Sequence, residues 1–344
     1  MDTIKIRTPD DWHLHLRSGE FLAAVLPFTI RCFQRAIVMP NLKPPVAAVA
    51  SAETYYQNIK SLLPAGSIFE PLMTLYLTPE TTPELIAAAA AHPHIYGVKL
   101  YPAGATTNSD YGVGSLKSLD DIFAAMQEHD LVLQVHGEDN KAHTDPFDRE
   151  AVFIEEQLLP LRQKFPDLRI VLEHATTTSA VDFVNAWPRT AATVTPQHLL
   201  LNRGALFAGG LRPHHYCLPV LKREEHRKAL LQAVTTPGQS SFFLGTDSAP
   251  HPTGCKHSAC GCAGIFSAHA AIELYAEAFD SVAALDQLET FSSLNGPAFY
   301  GLPVNSGSIT LKRESWTVPV SYPFGSESLV PLRADEQVHW RIVG

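Results

Sequence analysis

The segment Asp11–Arg17, with the sequence DWHLHLR, places two histidines two residues apart. Side chains alternate along a β-strand, so His13 and His15 point one way while Leu14 and Leu16 point the other. The leucines suit the apolar layer between a sheet and its helices. The histidines then share one side, where two imidazoles can bind one metal ion.

Seven further segments share the apolar character of this first one, and all eight end in polar, Gly or Pro residues. They are 5–15, 35–41, 69–78, 95–102, 131–138, 169–177, 191–198 and 241–251. Helix-like stretches separate most of them, and this alternation favours a parallel sheet. The count of eight predicts an α/β fold, the (β/α)8 TIM barrel. A doubly wound open sheet is the alternative, but no G-x-G-x-x-G motif opens the first helix.

The C-terminal part of the chain differs in pattern. After about residue 300 it reads as short strands and turns, such as NSGSITLK and VPVSYPFG. We therefore expect residues 1–344 to form a single barrel domain, with 305–344 as a small β appendage packed on it. Among the helices, 118–129 is predicted to begin at Ser118 as N-cap, with Asp120 and Asp121 in its first turn.

Composition excludes several classes of protein. The net charge is −9 without a Lys/Arg run, whereas binding nucleic acid needs a basic surface. The first twenty residues are too polar for a signal peptide, and no apolar run reaches the length of a membrane span. We expect a cytoplasmic protein that binds neither nucleic acid nor membrane.

The five cysteines are an odd number, which does not suit a disulfide framework. Three of them, Cys255, Cys260 and Cys262, lie close together with His257 between them. The spacing C-x4-C-x-C is compatible with a structural zinc site but lacks a second cysteine pair. The alternative is a loop of small residues with reduced thiols.

Polar residues recur where the predicted strands end. They are His13, His15, Asn41, Lys99, His136, His174 and Asp247. In a barrel, these ends all meet at one rim. A single histidine there is usually a satisfied polar residue, but four histidines with an aspartate favour a metal site. Nitrogen and oxygen ligands without thiolate suit zinc in a hydrolytic role, with manganese or iron as alternatives.

These residues resemble a known pattern. The H-x-H motif, the lysine of the fourth strand, the histidines of the fifth and sixth and the aspartate of the eighth are similar to the amidohydrolase superfamily. More closely, DWHLHLR, AIVMPNLKPP, KLYPAGATTNSDYGV, VHGE, EHATT, TPQHL, RPHHYCLPVLK, FLGTDSAPH, CGCAG and NGPAFYGLP resemble the dihydroorotase family of the shorter bacterial and yeast type. The similarity covers roughly residues 4–305. It implies a metal-dependent cyclic amidohydrolase that reversibly cyclises N-carbamoyl-L-aspartate to L-dihydroorotate in de novo pyrimidine (UMP) biosynthesis.

The resemblance also implies how the rim residues are used. His13, His15 and Asp247 would hold one of two zinc ions in each subunit. His136 and His174 would hold the other. Lys99, carboxylated by CO2 to N6-carboxylysine, would bridge both ions together with a hydroxide. That hydroxide would be the nucleophile, and Asp247 would be the general acid and base.

Substrate contacts and assembly follow from the same resemblance. The implied contacts are Arg17, Asn41, Thr106, Thr107, His136, Leu218, His251 and Ala263. Arg17, Asn41 and His251 would bind the substrate carboxylate, and the backbones of Leu218 and Ala263 the amide edge of its ring. The small-residue loop 101–115 would close over the substrate, with Gly104 as a flexible point. The family suggests a homodimer.

Two other functions compete with this one. A hydantoinase or allantoinase would use the same metal chemistry on another cyclic amide. Arg17 and Asn41 discriminate, because a carboxylate-binding pair fits dihydroorotate and is needless for a plain hydantoin. A non-catalytic barrel that acts in assembly would be expected to have lost ligands, whereas all six metal positions are filled here.

Overall fold

The computed structural model describes residues 2–343. Its strands are β1 (Thr3–Arg7), β2 (Asp10–Leu14), β3 (Arg35–Val38), β4 (Glu70–Tyr76), β5 (Ile95–Leu100), β6 (Val132–Val135), β7 (Ile170–Leu172), β8 (Thr190–Val194), β9 (Phe242–Leu244), β10 (Ser308–Thr317), β11 (Tyr322–Phe324), β12 (Glu327–Leu329) and β13 (Gln337–Ile342). Strands β2 to β9 form one eight-stranded parallel sheet in chain order.

The sheet closes on itself at its two edges. A parallel bridge joins Leu14 to Ser248, and the Asp247 amide donates to the His13 carbonyl at 2.8 Å. Seven of the eight predicted apolar segments contain one of these strands, and β8 begins one residue before the eighth, 191–198. The predicted (β/α)8 barrel is therefore confirmed.

Helices connect the barrel strands. The α-helices are α1 (Gly19–Ile30), α2 (Val49–Ser61), α3 (Pro83–Ala90), α4 (Asp120–Glu128), α5 (Arg149–Phe153), α6 (Leu159–Lys164), α7 (Thr178–Ala186), α8 (Pro196–Leu200), α9 (Glu224–Thr235), α10 (Thr253–Lys256), α11 (Ala271–Asp280) and α12 (Asn295–Tyr300). A π-helical turn, Ile154–Leu158, joins α5 to α6, and another, Thr290–Leu294, leads into α12. None of the helices in the described part of the chain combines the length and apolar character needed to cross a membrane.

The start of α4 differs from the prediction. Ser118 does not cap it, because a 3-10 turn, Leu116–Leu119, precedes the helix. The Ser115 hydroxyl caps that turn by accepting from the Lys117 amide.

The first predicted segment, 5–15, is two strands rather than one. Pro9 lacks an amide hydrogen and restricts the residue before it, so the chain breaks between β1 and β2. Strand β1 leaves the barrel and pairs antiparallel with β10, which pairs in turn with β13. The residues after 305 thus form a small antiparallel sheet with the N-terminal strand, and β11 and β12 form a separate hairpin.

A bulge in β2 gives the H-x-H motif its orientation. Between Asp11 and Leu14 this strand has one residue more than its partner β3. Trp12 consequently enters the barrel interior, where it stacks on Tyr300 at 4.6 Å between ring centroids. Leu14 packs in the layer between the barrel and the helices. Bulges of this kind re-aim side chains beside active sites.

Candidate metal centre and active site

The barrel brings all six predicted metal ligands to one rim. They follow or end five different strands, so their convergence depends on closure of the sheet. The exposed fractions are 1% for His13, 0% for Lys99, 1% for His136, 2% for His174 and 5% for Asp247. His15 is partly buried.

His13, His15 and Asp247 form the first group. The Asp247 Oδ1 lies 3.1 Å from His15 Nε2 and 3.5 Å from His13 Nε2. Two ligands bound tetrahedrally to zinc at about 2.0–2.1 Å stand roughly 3.4 Å apart. The three atoms therefore have the spacing of ligands around one ion.

His136 and His174 form the second group. His136 Nδ1 lies 3.1 Å from His174 Nε2, again close to the spacing of two ligands on one ion. The His174 ring also lies 5.1 Å from that of His13, centroid to centroid. The two groups are thus neighbours at the barrel mouth.

Hydrogen bonds fix which nitrogen faces the centre in three of the four rings, the exception being His174, whose Nδ1 is buried without a hydrogen bond among the described residues. His13 Nδ1 lies 2.7 Å from Glu173 Oε2, and His136 Nε2 lies 2.9 Å from Glu138 Oε2. His15 Nδ1 lies 2.9 Å from Asn41 Oδ1. Each of these nitrogens donates to an oxygen, which leaves the other ring nitrogen with a lone pair for a metal.

Lys99 is buried at the same rim, near enough to His13, His174 and Asp247 to influence the pKa of each. Its Nζ is fully buried and makes no hydrogen bond within the described residues. Burial lowers the pKa of Lys99 to about 8. A buried cation without a partner is costly, so the position suits a chemically changed lysine. The donor set and this orphaned nitrogen together fit a metal centre with a bridging anion.

Several site residues have unusual backbone geometry. Asp247, His174 and Arg17 have φ angles of 44°, 42° and 62°, in the left-handed region that non-glycine residues seldom occupy.

Asp11 supports two neighbouring strand ends. Its carboxylate accepts from the His13 amide at 3.1 Å and from the Thr246 amide at 2.9 Å.

A small cavity of about 20 Å³ adjoins the first group. Its lining residues are His15, Arg17, Asn41, Thr106, Thr107, Leu218, Asp247, Ala249, His251, Ala263 and Gly264. Seven of the eight predicted substrate contacts are in this set. His136, the eighth, is not; its Nδ1 lies 3.1 Å from His174 Nε2.

Arg17 gives this cavity its charge. Its guanidinium donates from Nε to the Pro250 carbonyl at 3.0 Å and from Nη2 to His251 Nε2 at 3.1 Å. No carboxylate of the described residues forms an ion pair with it. Burial and the nearby Arg17 lower the pKa of His251, which keeps this imidazole neutral. The cavity is therefore built to accept an anion.

The loop 101–115 covers the cavity. Its base is held by a bridge between Pro102 and Val113. At its tip, the Thr107 carbonyl accepts from Asn41 Nδ2 at 3.1 Å, and the Thr107 hydroxyl contacts the Ala263 carbonyl at 3.4 Å. Gly104 has a φ of 75°, which glycine adopts without strain. The structure thus places the tip of this loop over the cavity.

Sequence reasoning missed the residues that orient the ligands. Glu173 immediately precedes His174, and Glu138 follows His136 by two positions. An acidic residue beside a strand-end histidine is a usable signal, because histidines that bind metals usually donate to a carboxylate. The sequence does not indicate which histidine ring each acidic residue orients. Glu173 accepts a hydrogen bond from His13 rather than from its chain neighbour His174.

A second group of potential ligands, Glu53, His92 and His94, lies outside the barrel mouth. The His94 amide donates to His92 Nδ1 at 3.3 Å, so the Nε2 of a neutral His92 carries the hydrogen and offers no lone pair. This arrangement favours an ion pair over a metal site. Neither group contains a cysteine, and the five cysteines of the described residues are unpaired.

Comparisons with known proteins agree with this geometry. A model of the Amidohydrolase family matches residues 10–330. The dihydroorotase of Laribacter hongkongensis is 59% identical over 346 residues, covering 100% of both chains. The crystal structure of the Saccharomyces cerevisiae dihydroorotase in complex with 5-fluoroorotic acid superposes with a TM-score of 0.92 at 34% identity, covering 100% of this chain and 99% of that one. A dihydroorotase from Campylobacter jejuni gives 0.91 at 33% identity, covering 100% and 98%.

A hydantoinase is more distant. The L-hydantoinase of Arthrobacter aurescens gives a TM-score of 0.78 at 15% identity, covering 98% of this chain and 82% of that one. At this identity the similarity concerns the fold alone.

Proposed function

This chain belongs to the amidohydrolase family and, within it, to the dihydroorotases, and from that premise we propose that its strand-end cluster binds two zinc ions. Dihydroorotases interconvert N-carbamoyl-L-aspartate and L-dihydroorotate, the ring-closing reaction of pyrimidine synthesis. The chain is therefore a metal-dependent cyclic amidohydrolase that acts on these two compounds.

One observation carries the two-ion proposal: the fully buried Nζ of Lys99, at the rim that holds both groups of ligand atoms, makes no hydrogen bond within the described residues. One zinc would be held by His13, His15 and Asp247, and the other by His136 and His174. A free ammonium between two dications would be repelled. The same side chain carrying a carboxyl group would offer one oxygen to each ion.

The environment of Lys99 supports this modification. Carbamate formation needs the neutral amine, whose nitrogen lone pair attacks CO2 as a proton leaves. Burial lowers the pKa of Lys99 to about 8, so a useful fraction is neutral at physiological pH. The product is an anion, and the two zinc ions would then balance its charge.

When bound, the ions would supply an activated hydroxide at neutral pH and polarise the ring carbonyl. Asp247 would move the proton. Burial raises the pKa of its carboxyl above the usual range, against the opposing influence of His13 and Lys99. In hydrolysis, the other carboxylate oxygen of Asp247, Oδ2, would take the proton of the attacking group and deliver it to the leaving ring nitrogen. In cyclisation the transfer runs in reverse.

The cavity residues would bind and enclose the substrate. Arg17, Asn41 and His251 line the side of the cavity proposed for the carboxylate, and the planar guanidinium can donate two parallel hydrogen bonds to it. The backbones of Leu218 and Ala263 would contact the amide edge of the ring. The hydroxyls of Thr106 and Thr107, on the covering loop, would donate hydrogen bonds to the substrate, and the loop would keep bulk water out.

The alternative is a related cyclic-amide hydrolase of the hydantoinase or allantoinase type. A plain hydantoin has no carboxylate to pair with Arg17, and its binding would leave the buried guanidinium without a neutralising anion. The cation in the cavity therefore favours dihydroorotate.

The test is an assay of the purified protein on L-dihydroorotate and on a hydantoin, with metal content measured on the same sample. We expect dihydroorotate hydrolysis by protein that holds two zinc ions per chain. Equal turnover of the hydantoin would favour the alternative, and one ion per chain at full activity would contradict the two-ion centre. We further propose that the protein is a cytoplasmic homodimer. Sedimentation of the purified protein measures its oligomeric state.

A further inference from the structure

Lys256 is a buried lysine outside the metal cluster and outside the lining of the cavity. It ends the short helix α10, and its exposed fraction is 4%. Its Nζ donates to three backbone carbonyls: Gly264 at 2.7 Å, Cys262 at 2.8 Å and Tyr216 at 2.9 Å. All three donor positions of the ammonium are therefore used on main-chain oxygens.

These three carbonyls belong to two segments that are far apart in sequence. One segment, 216–218, leads to Leu218, and the other, 262–264, flanks Ala263. The Gly264 amide also donates to the Tyr216 carbonyl at 3.0 Å. Lys256 thus reinforces a direct contact between the two segments.

The same two segments face the cavity. Leu218 and Ala263 both line it, and their backbones are the proposed contacts for the amide edge of the ring. The Ala263 carbonyl also receives the Thr107 hydroxyl at the tip of the covering loop, at 3.4 Å. A shift of this segment would therefore disturb both the proposed contact with the substrate ring and the contact between the covering loop and the Ala263 carbonyl.

The bonding of Lys256 is specific to carbonyls. None of the ion pairs among residues 2–343 involves its ammonium, so no carboxylate neutralises it. Hydrogen bonds from a charged donor are stronger than neutral ones, and a buried cation is tolerated only when its hydrogens are satisfied. Three carbonyl oxygens from two segments meet that requirement only while the segments stay together.

We propose that Lys256 is a positioning residue for the substrate: its ammonium holds the backbones of Leu218 and Ala263 where the amide edge of the ring binds. The inference rests on the proposed function and adds to it a residue that touches neither metal nor substrate. Removing the ammonium should loosen substrate binding while leaving every metal ligand in place.

The experiment compares Lys256→Met with the wild type and with a matched control. Methionine keeps the length and apolar stem of lysine but has no donor. We expect the KM for L-dihydroorotate to rise at least about 10-fold, the order of effect expected when about 1.4 kcal/mol of binding is lost, with zinc content unchanged and a smaller change in kcat.

Arg162→Met is the control. Arg162 is fully buried and likewise donates to backbone carbonyls, including Pro166 at 2.9 Å and that of Leu168. These carbonyls lie before β7, at the end of the barrel opposite the rim. Both methionine variants should lower the melting temperature, but only Lys256→Met should raise KM.

A second variant guards against failure to fold. Lys256→Gln keeps two amide hydrogens and should raise KM less than methionine does. An unchanged KM in whichever variant folds, or an equal rise in Arg162→Met, would overturn the positioning role. A wild type that neither hydrolyses dihydroorotate nor holds zinc would instead overturn the proposed function, so the two failures are distinguishable.

Discussion

His136 Nδ1 lies 3.1 Å from His174 Nε2, and both rings are buried. The second nitrogen of His136 is 2.9 Å from the carboxylate of Glu138. Because that carboxylate accepts a hydrogen from Nε2, the neutral ring presents a bare lone pair at Nδ1. Glu138 therefore decides whether His136 can act as a metal ligand.

Glu138→Gln should weaken metal binding. Glutamine can donate to His136 Nε2, and the ring would then carry its hydrogen on Nδ1, where the ion should bind. Loss of such an orienting carboxylate typically costs about 10- to 100-fold in metal affinity. Metal content after dialysis against a weak chelator measures this loss, and we expect one of the two ions to leave first.

Glu150→Gln is its control. Glu150 is equally buried but accepts from the Thr176 amide and the Thr177 hydroxyl rather than from a histidine. It should keep both ions, although the protein should unfold at a lower temperature. Equal metal loss in the two variants would show that burial of the acid matters, rather than its contact with the ring.

Asp247→Asn should nearly abolish turnover while preserving the fold. The amide is similar in size but cannot carry a proton between the attacking group and the leaving nitrogen. The loss of an acid–base group costs at least about 100-fold in rate. Steady-state hydrolysis of L-dihydroorotate at matched metal content measures it. A variant that retains a tenth of the activity would show that Asp247 is not the group that transfers the proton.

Arg17→Lys should weaken substrate binding even though the charge is kept. An ammonium cannot replace a planar group that donates two parallel hydrogen bonds, and it would also lose the contacts with Pro250 and His251. We expect an increase in KM, with zinc content unchanged. Unaltered KM and kcat would mean that the substrate carboxylate binds elsewhere.

Replacing both Thr106 and Thr107 with Ala should lower kcat/KM without loss of metal. The change removes two hydroxyls from the covering loop, including the one that contacts the Ala263 carbonyl, but no proposed ligand. Ser115→Ala is the control, because Ser115 caps a turn at the end of the same loop. Loss of metal in the double variant would show that the loop is part of the scaffold.

The strand ends were readable from the sequence because a barrel obeys a simple rule. Alternation fixes which residues face inwards, and closure brings every strand's carboxyl end to one rim. That rule was enough to bring His13 together with Asp247, although 234 positions separate them in the chain. It could not pair Glu173 with His13, since the pairing depends on side-chain reach across neighbouring strands.

Irregular backbone geometry was the second feature that the sequence did not predict. The bulge in β2 depends on how this strand meets its neighbour β3, and the departure of β1 from the barrel depends on its pairing with β10. The same holds for Lys256, whose sequence context gives no sign that its three acceptors come from two distant segments. Every residue type has a main-chain carbonyl, so no sequence motif can indicate which carbonyls a buried lysine will contact.

Lys99→Ala distinguishes a two-ion centre from a one-ion centre. The protein should still fold, because one side chain at the rim is lost while the core is unchanged. It should lose the bridge between the two groups of ligands, and with it the ion at His136 and His174 and most of the activity. Metal content and dihydroorotate hydrolysis measure both losses.

Short carboxylic acids added to Lys99→Ala should restore part of the metal and part of the turnover. If the lysine only supplies a carboxylate on a long arm, a small acid can occupy the space that it leaves and link the two ions. A lysine that acted as a cation towards the substrate would behave in the opposite way, because the acids would then compete with substrate and restore nothing. In the wild type, electron density should continue beyond Nζ as a planar carboxyl group. Density that ends at Nζ with both ions present would contradict the carbamate, and the bridging role of Lys99 with it.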